Sequence, residues 1–168
     1  ISQSLPSKND SGIFRMHIDR AFVKKGFGTV VTGTVLSGEL AVGEDVEIMP
    51  NSIKARVRNI QSHEQMIDRV MMGDRAAINL QGIDKQSISR GSQIVKTNHF
   101  IQTNQIAAII ELLPNEKNIL KHNQRIRIHI GTQEVIARIF FSNKKNIKSD
   151  TKYVCLIKLE SFITVTMN

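Results

Sequence analysis

Residues 125–130 read Arg-Ile-Arg-Ile-His-Ile, apolar and charged side chains alternating without a break. A period of two is the mark of a strand that buries one face, here Ile126, Ile128 and Ile130, and shows the other, Arg125, Arg127 and His129. Short β-branched runs of the same kind recur along the chain, at 13–19, 28–36, 45–49 and 56–63, then at 75–81, 93–95, 105–112, 134–141, 153–160 and 162–166. No segment carries a sustained helical stripe, so the chain is predicted to be all-β. Many short strands separated by turns suit a barrel, since closure removes the unpaired edges that invite aggregation. A polar turn at 96–101, Lys-Thr-Asn-His-Phe-Ile, divides the strands into two series without a long linker. The expected organisation is a polar lead-in at 1–12, a β-barrel at 13–97 and a second β-barrel at 98–168. The run at 162–166 stops close to the last residue, so the second barrel is expected to lack its closing strand if residues 98–168 are a truncated copy of that fold.

Composition narrows the function classes. With 168 residues and 40% hydrophobic side chains the chain can bury a core, which excludes a disordered tail. Its one cysteine, Cys155, permits no internal disulfide and no cysteine metal cluster. It sits in the apolar run Tyr153-Val154-Cys155-Leu156-Ile157, where a small buried side chain is expected rather than a nucleophile. The apolar stretches are far below the roughly 20 residues that span a bilayer, and the polar opening lacks the apolar centre of a secretion signal. A formal charge of +8 fits a polyanion contact or ordinary solubility and does not choose between them. The five histidines, His17, His63, His99, His122 and His129, show no metal-ligand spacing. Phe14, Phe22 and Phe27 are expected in a core or interface, while Phe140 and Phe141, adjacent on a strand, must face opposite sides.

Glycine punctuates residues 26–43. Gly26 and Gly28 are placed to turn the chain between two strands, and Gly38 and Gly43 close the next. These glycines do not open a helix after a strand, and no GxxxxGK followed by Ser or Thr occurs, so neither a dinucleotide fingerprint nor a phosphate-binding loop is encoded. No catalytic constellation stands out either. Read as residues alone, Asp19, Arg20 and Arg75 are a surface ion pair with a nearby turn or the parts of an anion site. Lys24 with Lys25, the alternating Lys54, Arg56 and Arg58, the second-series cations Lys121, Arg125 and Arg127, and the loop cations Lys144, Lys145 and Lys148 are solvated charge or phosphate contacts.

Several segments carry a resemblance. Ile-Asp-Arg-Ala-Phe at 18–22, Lys-Gly-Phe-Gly-Thr-Val-Val-Thr-Gly-Thr at 25–34, Ser37-Gly38, Val42-Gly43 and Gly-Asp-Arg-Ala-Ala-Ile-Asn-Leu at 73–80 together resemble domain two of the translational GTPases. The spacing G-x-V-x-x-G-x-V-x-x-G from Gly28 to Gly38 is general to them, whereas the pentamer at 18–22 is similar to the selenocysteine-specific elongation factors. Residues 98–168 resemble domain three of that family more weakly, by order rather than by motif. The resemblance implies two elongation-factor barrels without catalytic residues of their own. They would help bind selenocysteyl-tRNA for delivery to the ribosome in the cytoplasm. GTP and Mg would belong to a GTPase domain that precedes them in such factors, and a winged-helix region would follow. It also implies an aminoacyl pocket of Asp19, Arg20 and Arg75, two guanidiniums suiting a selenolate that serine cannot offer. Two other readings stand beside it: a generic translational GTPase module for another aminoacyl-tRNA, and a structural module that docks acidic proteins.

Overall fold

The computed structural model describes residues 10–89, 91–113, 119–142, 146–147 and 152–166. Among these residues the regular elements are all strands apart from a 3-10 turn at Lys85–Ser87, and the chain divides into two compact units, the first running to Phe100 and the second spanning Ile101–Val165.

The first unit is a closed barrel. Its strands are β1 (Arg15–Lys24), β2 (Gly28–Ser37), β4 (Asp45–Met49), β5 (Ile53–Ser62), β8 (Arg75–Gln81) and β9 (Gln93–Lys96). They pair in the order β4-β9-β1-β2-β8-β5, and the β4–β5 ladder closes the ring of six. The three-residue strands β3 (Glu39–Ala41) and β7 (Arg69–Met71) pair with each other, and β6 (Gln65–Ile67) extends β5 as a hairpin. Alternation along the strands points Met16 and Ile18, Val31 and Val35, Val46 and Ile48, Val57 and Ile60, Ile78 and Leu80 inward, each at most 3% exposed. Each such side chain contributes about 1.5–3 kcal/mol of burial. Phe14 joins this core, as expected.

Three register shifts interrupt the ladders, one between Arg15 and Met16 at the start of β1 and two β-bulges that bear on the site. Along β1 and β2 the register runs Ile18↔Gly33 and then Arg20↔Thr32, leaving Asp19 without an opposite residue. Along β5 and β8 it runs Val57↔Leu80 and then Asn59↔Asn79, leaving Arg58 extra. A bulge breaks the strict alternation of faces. Buried Ile18 is therefore followed by two exposed residues, Asp19 and Arg20, and buried Val57 by exposed Arg58 and half-buried Asn59 before Ile60 is buried again.

The second unit is an open four-stranded sheet in the order β10-β15-β13-β12, from β10 (Phe100–Glu111), β12 (Gln124–Ile130), β13 (Gln133–Phe141) and β15 (Lys152–Thr166). A separate ladder joins β11 (Leu120–Lys121) to β14 (Asn146–Ile147). One face covers a cluster with Val135, Ala137, Ile139, Cys155 and Ile157, against which Ile126, Ile128 and Ile130 pack. Phe141 is buried in that cluster while Phe140 points the other way, under the Lys158 ammonium at 5.4 Å. In keeping with a second barrel that lacks its closing strand, β10 and β12 remain the outer strands of this sheet among the described residues.

Gly33 makes the first bulge possible. A Cβ at this position would lie 2.0 Å from the carbonyl oxygen of His17, which no side chain can occupy. Gly33→Ala is expected to destabilise the chain by about 3 kcal/mol or more in urea unfolding, because the obstacle is backbone rather than a flexible side chain. A loss below about 1 kcal/mol would show that the close approach is dispensable.

Candidate functional site

The bulge in β1 sets the candidate site on the outer surface of the first barrel. Thr34 of β2 lies opposite Arg75 of β8, so Arg75 is two strands away from β1 and level with it. Arg75 Nη1 donates to Asp19 Oδ2 at 2.7 Å across that gap. Side-chain exposures of 59% and 32% place the pair in high dielectric, where it stabilises the fold by less than about 1 kcal/mol. Its effect is positional: it fixes the Arg75 guanidinium while engaging only one of its nitrogens. Arg20 forms no ion pair among the described residues. Arg20 and Arg75 line one open pocket of about 430 Å³ with Phe22, Thr32, Gln61 and the turn His63-Glu64. The structure thus brings together the three residues of the anion reading, Asp19 as the brace of Arg75 and the two guanidiniums facing a common space.

Residues that the sequence did not single out complete this pocket. His63 and Glu64 form the two-residue loop of the β5–β6 hairpin, both at positive φ (47° and 65°). This hairpin geometry usually carries Asn-Gly, so no turn signal betrayed it. The Thr32 hydroxyl is buried and without a hydrogen-bond partner.

A second pocket of about 450 Å³ adjoins the first, sharing Phe22, Gln61 and Ala77 with it, and is lined further by Lys24, Phe27, Val30, Met66 and Asn79. Phe22 and Phe27, expected in a core or interface, are 42% and 44% exposed and form its apolar walls. Phe27 lies in the turn between β1 and β2, outside the strand alternation, and Phe22 follows the bulge onto the outer face. The Lys24 ammonium sits 4.7 Å from the Phe27 ring centroid, a cation–π contact that holds both at the rim. Lys25 is exposed in the turn itself.

The other basic candidates lie apart. Lys54 and Arg56 line a different cavity of about 730 Å³ with Asp45, Gln81, Thr97 and Asn98. Arg58 is exposed on the β5 bulge. In the second unit Lys121 is exposed on β11, off the main sheet. Arg125 makes a two-pronged pair with Glu160, both contacts at 3.0 Å, and Arg127 pairs with Glu134 at 3.2 Å, so carboxylates already balance these cations. Lys144, Lys145 and Lys148 fall outside the described residues. No group of three or more potential metal ligands occurs among the described residues. Cys155 is buried, with its thiol 3.5 Å from the Ala108 carbonyl and pushed above its ordinary pKa by that burial.

Comparison with known proteins gives this arrangement its context. Residues 28–95 match the family described as Elongation factor Tu domain 2. The selenocysteine-specific elongation factor of Desulfomicrobium baculatum is 31% identical over 158 residues, 94% of this chain and 25% of the relative. A crystal structure of the translation elongation factor SelB from Methanococcus maripaludis in its apo form superposes with a TM-score of 0.82 at 25% identity, covering 98% of this chain and 38% of that one. The chain is a SelB-like fragment, similar in sequence and fold to the selenocysteine-specific elongation factors. Elongation factor 1-alpha of Pyrobaculum calidifontis, 36% identical, aligns with only 51% of the chain and 19% of its own length. The SelB-like match therefore takes in both units, although the chain spans only a quarter to two fifths of the SelB-type proteins it matches.

His17 stands two residues before Asp19 on the outer side of β1, opposite Thr34 and Gln93. Its Nδ1 is buried without a partner. Burial, and then the Arg15 guanidinium, hold its pKa below the ordinary value, while the Asp19 carboxylate opposes them. The folded chain therefore keeps this imidazole neutral, whereas the unfolded chain protonates it near pH 6.5. Its contribution to stability is complete above about pH 6.5 and is lost as pH falls through the lowered folded value. The free energy of unfolding should decrease from pH 7.5 to 5.5, and His17→Gln should remove that part of the slope. An identical slope in the variant would assign the acid sensitivity to other groups.

Proposed function

We propose that this chain is the part of a selenocysteine-specific translation elongation factor that holds the aminoacyl end of selenocysteyl-tRNA. The observation that carries the reading is the pocket lined both by Arg20, without an ion-pair partner among the described residues, and by Arg75, braced by Asp19. A selenol is largely ionised near neutral pH, and two converging guanidiniums stabilise its charge with directed N–H donors. A serine hydroxyl of similar size brings no charge and leaves the same guanidiniums without a counterion, so discrimination arises from ionisation rather than shape. Asp19 can also accept from the aminoacyl amine, since only one of its oxygens is engaged by Arg75.

The adjoining apolar pocket suits the next chemical unit. An aminoacyl group is esterified to the terminal ribose, so its nucleoside must lie within a few ångströms, and a base can stack against Phe22 and Phe27. The charged and the apolar pocket, sharing one wall, match the two ends of an aminoacyl-nucleoside. In this reading GTP and Mg are bound by a GTPase domain elsewhere in the parent, and a winged-helix region completes it. The factor works with the ribosome in the cytoplasm, and these two units bind without carrying out chemistry. Lys24 and Lys25 at the rim, Lys54, Arg56 and Arg58 along β5, and Lys121 in the second unit serve as phosphate contacts that add affinity without selecting the amino acid, a role for which Arg125 and Arg127 would first have to give up Glu160 and Glu134. The generic-module reading loses support because the elongation factor 1-alpha alignment takes in only half of the chain.

Arg20→Ala and Arg75→Ala test the proposal. Each is expected to reduce the preference for selenocysteyl-tRNA over seryl-tRNA by about tenfold, as loss of a charge-assisted hydrogen bond would, with the affinity for seryl-tRNA nearly unchanged. Fluorescence anisotropy with both charged tRNAs measures it. Equal losses for the two would reject selection by selenolate.

A further inference from the structure

Asn79 occupies an unusual position for an amide. It lies on β8, 4% exposed, in the wall of the apolar pocket between Phe27, Val30 and Met66. Its Nδ2 donates to the backbone carbonyl of Phe27. That contact fixes the orientation of the amide, because a flipped side chain would set two oxygens against each other. The Oδ1 atom is consequently the free end, and it is buried with no hydrogen-bond partner. A buried acceptor left unmatched is costly and calls for an explanation at the site where it occurs. The other polar side chains of the lining, Lys24, Asn59 and Gln61, do not bond to Oδ1 in the structure, so the place of a donor is open to whatever fills the pocket.

We propose that Asn79 is a specificity-determining residue that accepts a hydrogen bond from the exocyclic amino group of the nucleobase in this pocket. The inference rests on the reading of the pocket as the site of the terminal nucleoside. It adds a chemical requirement to that reading: the base must present an N–H₂ donor on its edge while its faces pack against apolar side chains. Adenine, the terminal base of every tRNA, carries such a group at C6; purine, the same bicycle with hydrogen there, does not. The amide need not turn, since the contact from Nδ2 to Phe27 already orients Oδ1, but Oδ1 is closed off in the structure, so neighbouring side chains of the lining must give way for the amino group to reach it. Asn79 also secures the turn that carries Phe27, which joins the stacking wall and the amine acceptor in one element.

The test is made on the ligand first, so that it does not depend on a variant that folds poorly. Two RNA acceptor-stem hairpins, identical except that one ends in adenosine and the other in purine riboside, are titrated into the unaltered chain. The adenosine end is expected to bind about tenfold more tightly, as deletion of a donor to a buried acceptor would give. Asn79→Leu, which lacks the acceptor, is then expected to bind both hairpins equally; comparing the two ends within the variant cancels any general loss from the Phe27 turn. Equal binding of both ends by the unaltered chain would overturn the role of Asn79 while leaving the tRNA-end reading intact. A preference for adenosine that persists in Asn79→Leu would overturn it as well. Failure of both hairpins to bind would remove the underlying reading together with this inference.

Discussion

The carbonyl oxygen of His17 rests where a side chain on residue 33 would begin, and the candidate site depends on that close approach. With glycine there, β1 carries one more residue than β2 between Ile18 and Arg20, and the surplus is Asp19. A regular strand would have sent Asp19 and Arg20 to opposite faces, one of them into an apolar core. The bulge turns both outward, toward a β8 that is already fixed by its ladder with β2. Arg75 then lies within reach of Asp19, and Arg20 lines the same pocket. A backbone contact, rather than any strong pairwise attraction, is what assembles the charged groups. The ion pair itself is too exposed to hold the barrel together.

The same device recurs at Arg58 and Asn59 on β5. There it puts an exposed cation beside a residue that lines the apolar pocket. The core strands on either side keep their alternation, so the barrel tolerates both interruptions. The outer surface of β1, β2, β8 and β5 thereby acquires polar groups at positions that strict periodicity would have given to the core. In the second unit the alternation of β12 is unbroken, and its exposed arginines find carboxylate partners, Arg127 on the adjacent β13 and Arg125 on β15 one strand farther.

Much of the fold was legible in the sequence because a period of two survives in any strand with a single buried face. The strands at 28–36, 45–49, 75–81 and 125–130 lie within a residue of their expected bounds. β1 was cut short at Asp19 because a charged pair reads as the end of an apolar run, whereas the bulge lets the strand continue to Lys24. β3, β6 and β7 escaped notice because three residues cannot establish a period. At the site, Asp19, Arg20 and Arg75 emerged only through family resemblance, since 56 residues separate the ion pair and register alone brings it together. Thr32, Gln61 and Asn79 were not singled out, because a polar residue on a strand looks the same whether it meets solvent or lines a pocket, and Glu64 lies in a hairpin loop that carries no turn signal.

If the paired guanidiniums read ionisation rather than shape, a thiol should become a good ligand once it loses its proton. The most direct measurement is the affinity of this chain for acceptor-stem RNA carrying cysteine, selenocysteine or serine through a stable 3′-amide, followed from pH 7 to 9.5. Ionisation of the thiol is centred near pH 8.5. Binding of the cysteinyl end should strengthen through that range toward that of the selenocysteinyl end, while the seryl end stays flat. A cysteinyl affinity that does not rise with pH would contradict selection by charge at Arg20 and Arg75.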